Sequence, residues 1–385
     1  MASLPQAIVS AIQDGIGSGG ARLHEPEMAG NEWRYVKDCL DSNFVSSVGS
    51  YVDRLERDLA AICGAARAIA CVNGTAALHM ALVLADVRPG DEVLVPTFTF
   101  VATANAVRYC GAVPHFFDCE PQALGVDIPK LAAHLDAVAV RRDGRVVNRK
   151  TGRTIRALVC MHTFGHPVDL APLMELCASW GLPLVEDAAE SLGSFYKGRH
   201  TGNFGLVSAL SFNGNKIVTT GGGGAVLCND EALADRAKHL TTTAKLPHRW
   251  DFVHDEVGYN YRMPNLNAAL GCAQVEQLAS KVERKRRLAE RYAGAFAGLP
   301  GVRFVTEPEF ATSNYWLHAI VLDDPSLLEP VLEATSAADI QTRPAWRPMH
   351  LLSMNADCPR MDLACAEAMA ARIVNIPSSP QLVTP

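Results

Sequence analysis

The chain has 385 residues, 49% of them hydrophobic and 20% charged, with a formal net charge of −6. That length exceeds one simple core and predicts two packed subdomains, while the acidic balance gives no broad basic field for nucleic acid. No apolar run approaches the ~20 residues of a membrane span, and the start "MASLPQAIVSAIQDGIG" lacks the charged flank and long apolar core of a secretory signal.

Taken in chain order, residues 1–22 read as an N-terminal arm, a short helix followed by the glycine-rich break "DGIGSGG". "NEWRYVKDCLDS" has helical spacing, and "SYVDRLERDLAAICG" is an amphipathic helix ending at Gly64. Short apolar runs then alternate with helical patterns. "AIACV" precedes "NGTAALHMALVLADV"; "DEVLVP" precedes "TFVATANAVRYCG"; "AVPHFFD" follows. "RALVCMHTFG" and "LPLVEDAA" flank the helical "DLAPLMELCASWG", and "VSALSFN" and "GGAVLCN" come next. Strand and helix in alternation predict an α/β fold, a mostly parallel sheet covered by helices, with functional residues at the carboxyl ends of its strands.

Two stretches depart from this rhythm. Residues 139–157, "AVRRDGRVVNRKTGRTIRA", are strongly basic with Asp-Gly and Thr-Gly turns, and are expected to form an exposed hairpin insertion rather than a nucleic-acid contact. The stretch "NLNAALGCAQVEQLASKVERKRRLAERYAGAFAGL" reads as one long helical segment. The division expected is a large domain over 23–265 and, over 266–385, a linker helix with a small α+β domain that includes "WLHAIVLD". Eleven cysteines are scattered, with no C-x-x-C pair and no Cys/His cluster at zinc spacing. Free buried thiols in a reducing cytosol are expected, and no metal.

The chemistry concentrates around "SFNGNKIVTTGGGG". Lys216 sits in a polar, turn-prone loop before Gly221–Gly224, a setting that gives a lysine reach and room to swing. Asp187 closes an apolar run 29 residues earlier, where a carboxylate can pair with a pyridinium nitrogen. Gly74, Thr75 and Ala76 lie at a strand-to-helix turn whose N–H groups, with the Thr75 hydroxyl, can hold a phosphate. Ser211 offers a second hydroxyl, and Phe98 or Phe100 can stack on a ring. Phosphate turn, aromatic, strand-end aspartate and loop lysine occur in the order that a pyridoxal 5′-phosphate (PLP) site needs. Each has a bland alternative taken singly: Asp187 as a helix cap, "NGTAAL" as an ordinary helix start, the glycines as a flexible hairpin.

The stretch "VEDAAESLGSFYKGRHTGNFG…SFNGNKIVTTGGGG", with "VNGTAALHMAL", "GDEVLVPTFTFVATANAV", "GYNYRMPNLNAALGCAQ" and "TRPAWRPMH", resembles the DegT/DnrJ/EryC1/StrS sugar aminotransferases from about residue 23 onward. "LHEPEMAGNEWRYVKDCLDSNFVSSVGSYV", the basic insertion and "HTFGHPVDL" resemble the LegC-type branch. The resemblance implies an aspartate-aminotransferase-like fold (PLP fold type I) and a cytoplasmic homodimer. It implies amino transfer from L-glutamate to C4 of a nucleotide-linked 4-keto-6-deoxy sugar, of the UDP-2-acetamido-2,6-dideoxy-4-keto-hexose kind, for bacterial surface glycans. Lys216 then matches the Schiff-base lysine, Asp187 the partner of the ring nitrogen, Thr75, Ala76 and Ser211 the phosphate cup, and Phe100 the aromatic over the ring, which leaves Phe98 to the core. Glu190 stands where many relatives have Gln near the ring hydroxyl, a departure that implies a protonated carboxyl or one turned away. Asn260 matches an asparagine that reaches the partner's phosphate. His162, Arg262, Arg343, Arg347 and His350 are candidates for the substrate side, with packing or capping as the alternative for both histidines. Two rivals share the fold. In PLP-dependent sugar dehydratases a His replaces the lysine, and a non-enzymatic regulator would not need the full set.

Overall fold

The computed structural model describes residues 3–17 and 19–383. Residues 1, 2 and 18 of the expected arm, and 384 and 385 of the expected small domain, lie outside the described residues.

Helices α1 (Leu4–Ile16), α2 (Glu32–Ser42) and α3 (Ser50–Cys63) open the chain. α3 stops at Gly64, which adopts φ +66° and returns its N–H to Ala60 and Ala61. The alternation then follows: β1 (Arg67–Cys71), α4 (Gly74–Leu84), β2 (Glu92–Pro96), α5 (Val101–Tyr109), β3 (Val113–Phe117) and α6 (Ile128–Val138). β4 (Ala139–Arg142) and β5 (Arg145–Asn148) pair antiparallel as the expected hairpin, with Asp143 and Gly144 both at positive φ in its two-residue turn. β6 (Ile155–Met161), α7 (Leu170–Trp180) and β7 (Leu184–Asp187) resume the alternation, so the insertion ends where β6 begins. β8 (Phe195–Tyr196) and β9 (Arg199–His200) are short; β10 (Val207–Ser211), β11 (Gly224–Cys228) and α8 (Glu231–Thr241) complete the large domain's sheet and its cover.

The main sheet has seven strands in the order β1-β11-β10-β7-β6-β2-β3. Only β11 runs against its neighbours, β1 and β10; the pairs from β10 to β3 are parallel. The carboxyl ends of β1, β2, β6, β7 and β10 therefore emerge on one edge, as expected for such a sheet.

The helical stretch after residue 264 is two helices. α9 (Asn265–Val275) packs on α2 and α3 within the large domain, and α10 (Leu278–Phe296) turns away after Glu276 and Gln277. The small sheet contains β12 (Val302–Phe304), β14 (His318–Leu322), β15 (Arg343–Pro344) and β16 (Ile373–Ile376), while β13 (Ala311–Thr312) pairs with β8. α11 (Leu328–Ala337) and α12 (Ala364–Ala370) are its helices. The N-terminal helix is no free arm. Ile8, Ala11 and Ile12 are buried against Leu288, Tyr292 and Phe296 of α10, and α1 also packs on α11, so this helix completes the small domain's core. Its apolar face is what drives that docking; each fully buried Ile contributes about 1.5–3 kcal/mol.

All eleven cysteines are free thiols, and ten are buried. Among the described residues no helix is long and apolar enough to cross a membrane.

Candidate active site

The strand ends meet over a cavity of about 310 Å³. Gly74, Thr75, Phe100, Asp187, Glu190, Ser211 and Lys216 all face it, although they are drawn from four strand ends and the loops that follow.

At one end, Asn73 caps α4 by accepting the Ala76 N–H at 2.7 Å. Ala76 itself is buried behind the wall, and its N–H is committed to that cap, so the cavity is met by Gly74 and Thr75. Their N–H groups belong to the first turn, which has no intrahelical acceptor, and they lie at the positive end of the helix dipole. Gly74 has a steric reason for its identity. A Cβ there would come within 2.7 Å of Ser211 Cβ and 2.9 Å of its Oγ. Only glycine lets the helix start approach the serine this closely, and that approach makes the cup. Gly224 plays the matching part from β11, where a Cβ would meet Asn73 and Gly74 backbone at 2.7 Å. Gly224, the last of the glycine run, thus serves close packing under the helix start, while a Cβ at Gly222 would meet open space.

Asp187, the last residue of β7, is buried on the cavity floor. Thr103 donates to Oδ2 at 2.7 Å and the Ala189 N–H to Oδ1 at 3.2 Å. Burial pushes its pKa up, against the pull of these bonds and of Lys216. A cationic ring nitrogen beside it would hold it ionised, and it in turn would hold that nitrogen protonated.

Lys216 projects from the loop after β10. Its Nζ lies 3.3 Å from Glu190 Oε1 and 3.6 Å from the centroid of the Trp316 ring. Trp316 donates its Nε1–H to the Asn215 carbonyl at 2.7 Å and so fixes the loop beside the lysine. Glu190 is not turned away. Its other oxygen accepts the Phe164 N–H at 2.9 Å, and burial drives its pKa to about 7 despite Lys216 nearby. At neutral pH it is therefore poised between a carboxylate that pairs with Lys216 and a neutral acid that can donate a proton.

The consequence for stability has a definite sign. A carboxyl with a raised folded pKa keeps its proton longer in the native state than in the unfolded chain. Stability is lost as pH rises from the unfolded value near 4.5 to about 7. Relative to Glu190→Gln, the cofactor-free protein is expected to lose on the order of 3 kcal/mol across that window. Urea unfolding of both proteins at pH 4.5 and 8 measures this; a constant difference between the two pH values would place Glu190 in a solvent-like environment.

Trp316 and Trp346 were not signalled as site residues in the sequence. Trp346 lines the same cavity, with its ring 6.5 Å from Phe100 and 5.1 Å from Phe164. Trp316 lies in the bend after Asn314 and Trp346 just beyond the end of β15, so neither is carried by a strand. Phe98 is buried against Phe164 and Trp346, while Phe100 is half exposed on the cavity.

The five substrate candidates fare differently. His162 is fully buried, with Nε2 on Glu186 at 3.1 Å and Nδ1 accepting the Val168 N–H at 3.2 Å. His350 is buried between Thr97 at 2.7 Å and Glu367 at 2.9 Å. Both are packing histidines, since their ring nitrogens are spent on protein partners and neither lines the cavity. Arg343 and Arg347 are exposed beside Trp346, yet within this chain they do not reach the cavity wall. Arg262 lines a separate cavity of about 200 Å³ with Lys238 and Asp53, and it donates Nε–H to Asn260 Oδ1 at 3.1 Å. Asn260 is exposed and lies away from its own chain's cavity.

The donor set fits PLP. The close Gly74–Ser211 approach offers hydroxyl and N–H donors to a dianionic phosphate, Asp187 offers an anion to a ring nitrogen, and Lys216 offers a primary amine within the same cavity.

Residues 26–384 match the model of the DegT/DnrJ/EryC1/StrS aminotransferase family. The chain is 36% identical to GDP-perosamine synthase of Escherichia coli O157:H7, over 94% of this chain and 93% of that protein. It is 29% identical to dTDP-4-dehydro-2,3,6-trideoxy-D-glucose 4-aminotransferase of Saccharopolyspora spinosa, over 94% of this chain and 92% of the relative. Among solved structures it is similar to the aminotransferase TlmJ from Streptoalloteichus hindustanus, with a TM-score of 0.84, 29% identity and 94% of each chain covered. The chain belongs to the DegT/DnrJ/EryC1/StrS aminotransferase family and is a nucleotide-sugar aminotransferase that uses pyridoxal 5′-phosphate.

Proposed function

We propose that the enzyme moves the amino group of L-glutamate to C4 of a 4-keto-6-deoxy sugar carried on a nucleoside diphosphate, in the manner of the LegC-type branch and for bacterial surface glycans. The carrying observation is the convergence of Lys216, Asp187, Thr75 and Ser211 on one cavity. Position 4 is supported by the LegC-like motifs and by the 4-aminotransferase among the relatives.

Bound PLP supplies an aldehyde that takes up the amino group and an electron-withdrawing ring. Asp187 would keep the ring nitrogen protonated. Gly74, Thr75 and Ser211 would hold the phosphate, and Phe100 would cover the ring. Lys216 Nζ takes the proton from the α-carbon of glutamate and later delivers one to C4 of the sugar. Glu190 adjusts the charge of Lys216 through the 3.3 Å contact. The walls contributed by Trp316 and Trp346 exclude water from the reacting atoms.

The nucleotide expected from the sequence is UDP on a 2-acetamido sugar; the GDP-perosamine synthase relative favours GDP as the second reading. A panel of UDP-, GDP- and dTDP-linked 4-keto sugars, with glutamate as donor, tests both. Amination at C4, located by NMR of the product, is the expected result. Amination only of 3-keto sugars would overturn the position.

The same proposal includes a homodimer with shared sites. Asn260 is exposed next to the loop that presents Trp250, Phe252 and Val257, at 77%, 75% and 83% exposure, a loop suited to burial against a second copy. If Asn260 completes the partner's phosphate cup, co-expressed Lys216→Ala and Asn260→Ala chains form mixed dimers with one intact site. Under random assembly activity at limiting PLP should then rise towards about a quarter of wild type. Activity equal to the average of the separate variants would confine Asn260 to its own chain.

A further inference from the structure

Positive charge is unevenly placed in this acidic chain. Residues 139–157 carry six arginines and one lysine against one aspartate. Only Arg156 among the seven cations forms an ion pair among the described residues, with Asp86 and Asp91. Arg141 and Arg149 donate to the Ser179 and Ala139 carbonyls, and none of the other six has a carboxylate partner among the described residues.

Three cations surround a cavity of about 340 Å³ that is distinct from the catalytic one. Lys150 and Arg153 come from the segment that returns from the hairpin, and Arg360 from the loop before α12. None of the three has a carboxylate partner among the described residues. The cavity also lies at the other end of the sheet. Beneath it is Glu92, the first residue of β2, whereas the catalytic cavity opens at the carboxyl ends of the strands.

The floor beneath these cations is internally satisfied. Buried Glu92 accepts from His115 Nδ1 at 2.9 Å, from Asn148 Nδ2 at 2.8 Å and from the Thr151 hydroxyl. Burial alone would raise its pKa, but these donors hold it below the usual carboxylate range. Its oxygens are therefore spent on donors inside the fold, and none of the three cations above bonds to it. His115 passes the chain on to His134, with the two Nε2 atoms 2.8 Å apart, and His134 lines the cavity. Burial and the neighbouring His115 lower His134 to about 4, so it is neutral there. Asp357 is the one carboxylate on the wall, and Val138, Ala356 and Pro359 give it apolar surface.

We propose that this cavity is a second ligand site, which binds a small phosphorylated molecule through Lys150, Arg153 and Arg360. Two guanidinium forks and an ammonium match the several oxygens of a phosphate better than a single carboxylate. The volume exceeds that of an inorganic anion, and the apolar wall and Asp357 suit a sugar-like remainder with hydroxyl groups. The same charges would attract RNA, but they line a concavity rather than a groove that could follow a strand.

The test is calorimetric titration of the PLP-loaded enzyme at low ionic strength with inorganic pyrophosphate and, separately, ribose 5-phosphate. A saturable site is expected in the wild type. In Arg153→Ser/Arg360→Ser its dissociation constant should rise at least about tenfold, because two charge-assisted contacts are lost. Turnover without added phosphate should stay within about twofold, since neither arginine lines the catalytic cavity. The His134 imidazole resonances should shift on titration in the wild type and not in the variant. Tighter binding of ribose 5-phosphate assigns the site to an organic phosphate, and tighter binding of pyrophosphate to the free anion. Equal affinity in wild type and variant would overturn the proposal, as would no saturation by roughly 10 mM. So would arginine-dependent binding of an RNA oligomer without binding of either small phosphate. Lys150→Ser provides an independent variant in case the double substitution disturbs folding.

Discussion

Lys216→Ala is expected to abolish turnover while sparing the fold and much of the cofactor affinity. In the proposed mechanism Lys216 Nζ has two duties, bonding the cofactor aldehyde and carrying the proton in both half-reactions, and no other lysine lines the cavity. The loss should be ~10⁴-fold or more, the upper range for a positioned general base compounded by the missing covalent step. Structural damage should be small, because Nζ makes one hydrogen bond, to Glu190, and lies over one ring, that of Trp316. The phosphate cup at Gly74, Thr75 and Ser211 is untouched, so PLP should still bind, now noncovalently. Borohydride reduction followed by mass analysis separates the two duties: wild type retains the cofactor on Lys216 and the variant retains none. Single-turnover amination then measures the chemistry. A variant that aminates the keto sugar at a rate near wild type would sink the assignment of Lys216 as base.

The residues that share the candidate site's cavity were legible in the sequence where each announces itself locally. Asp187 ends an apolar run, Gly74 and Thr75 follow another, and Ser211 and Lys216 flank a turn. In a parallel sheet such strand ends are brought to one edge whatever their separation along the chain. Trp316 and Trp346 were not legible, because their role depends on how the small domain rests on the large one. Trp316 is joined to the Lys216 loop by a bond to Asn215, 101 residues away. His162 and His350 show the same limit from the other side. Their neighbourhoods suggest a substrate role, but the partners that absorb their nitrogens, Glu186 and Glu367, are set by tertiary packing. The N-terminal segment was legible as a helix and not as core, since its apolar stripe meets Tyr292 and Phe296, about three quarters of the chain later. The break between α9 and α10 escaped for a different reason. Glu276 and Gln277 are both good helix formers, and the turn there follows from α9 packing on α3 rather than from any breaker residue.

Asp187→Asn is expected to cost about 3 kcal/mol or more of transition-state stabilisation, a factor above ~100 in turnover. The substitution keeps size and shape. One amide oxygen can still accept the Ala189 N–H, and Thr103 can redirect its hydroxyl to Thr99, whose oxygen lies 2.8 Å away. The floor of the cavity should thus survive, and its charge should not. With a neutral amide beside it, the ring nitrogen loses the anion that keeps it protonated, and the ring withdraws electrons poorly when Lys216 removes a proton. Burial makes the effect large: the environment that pushes the Asp187 pKa up also leaves no water to replace a lost counter-charge. The defect should therefore respond to charge and not to shape. An N-methylated cofactor, positively charged at any pH, should restore at least ~10-fold of the lost rate in the variant and none in wild type. A loss below about fivefold, or a loss that the methylated cofactor leaves unchanged, would make Asp187 a cap for the turn at Ala189 rather than the partner of the ring.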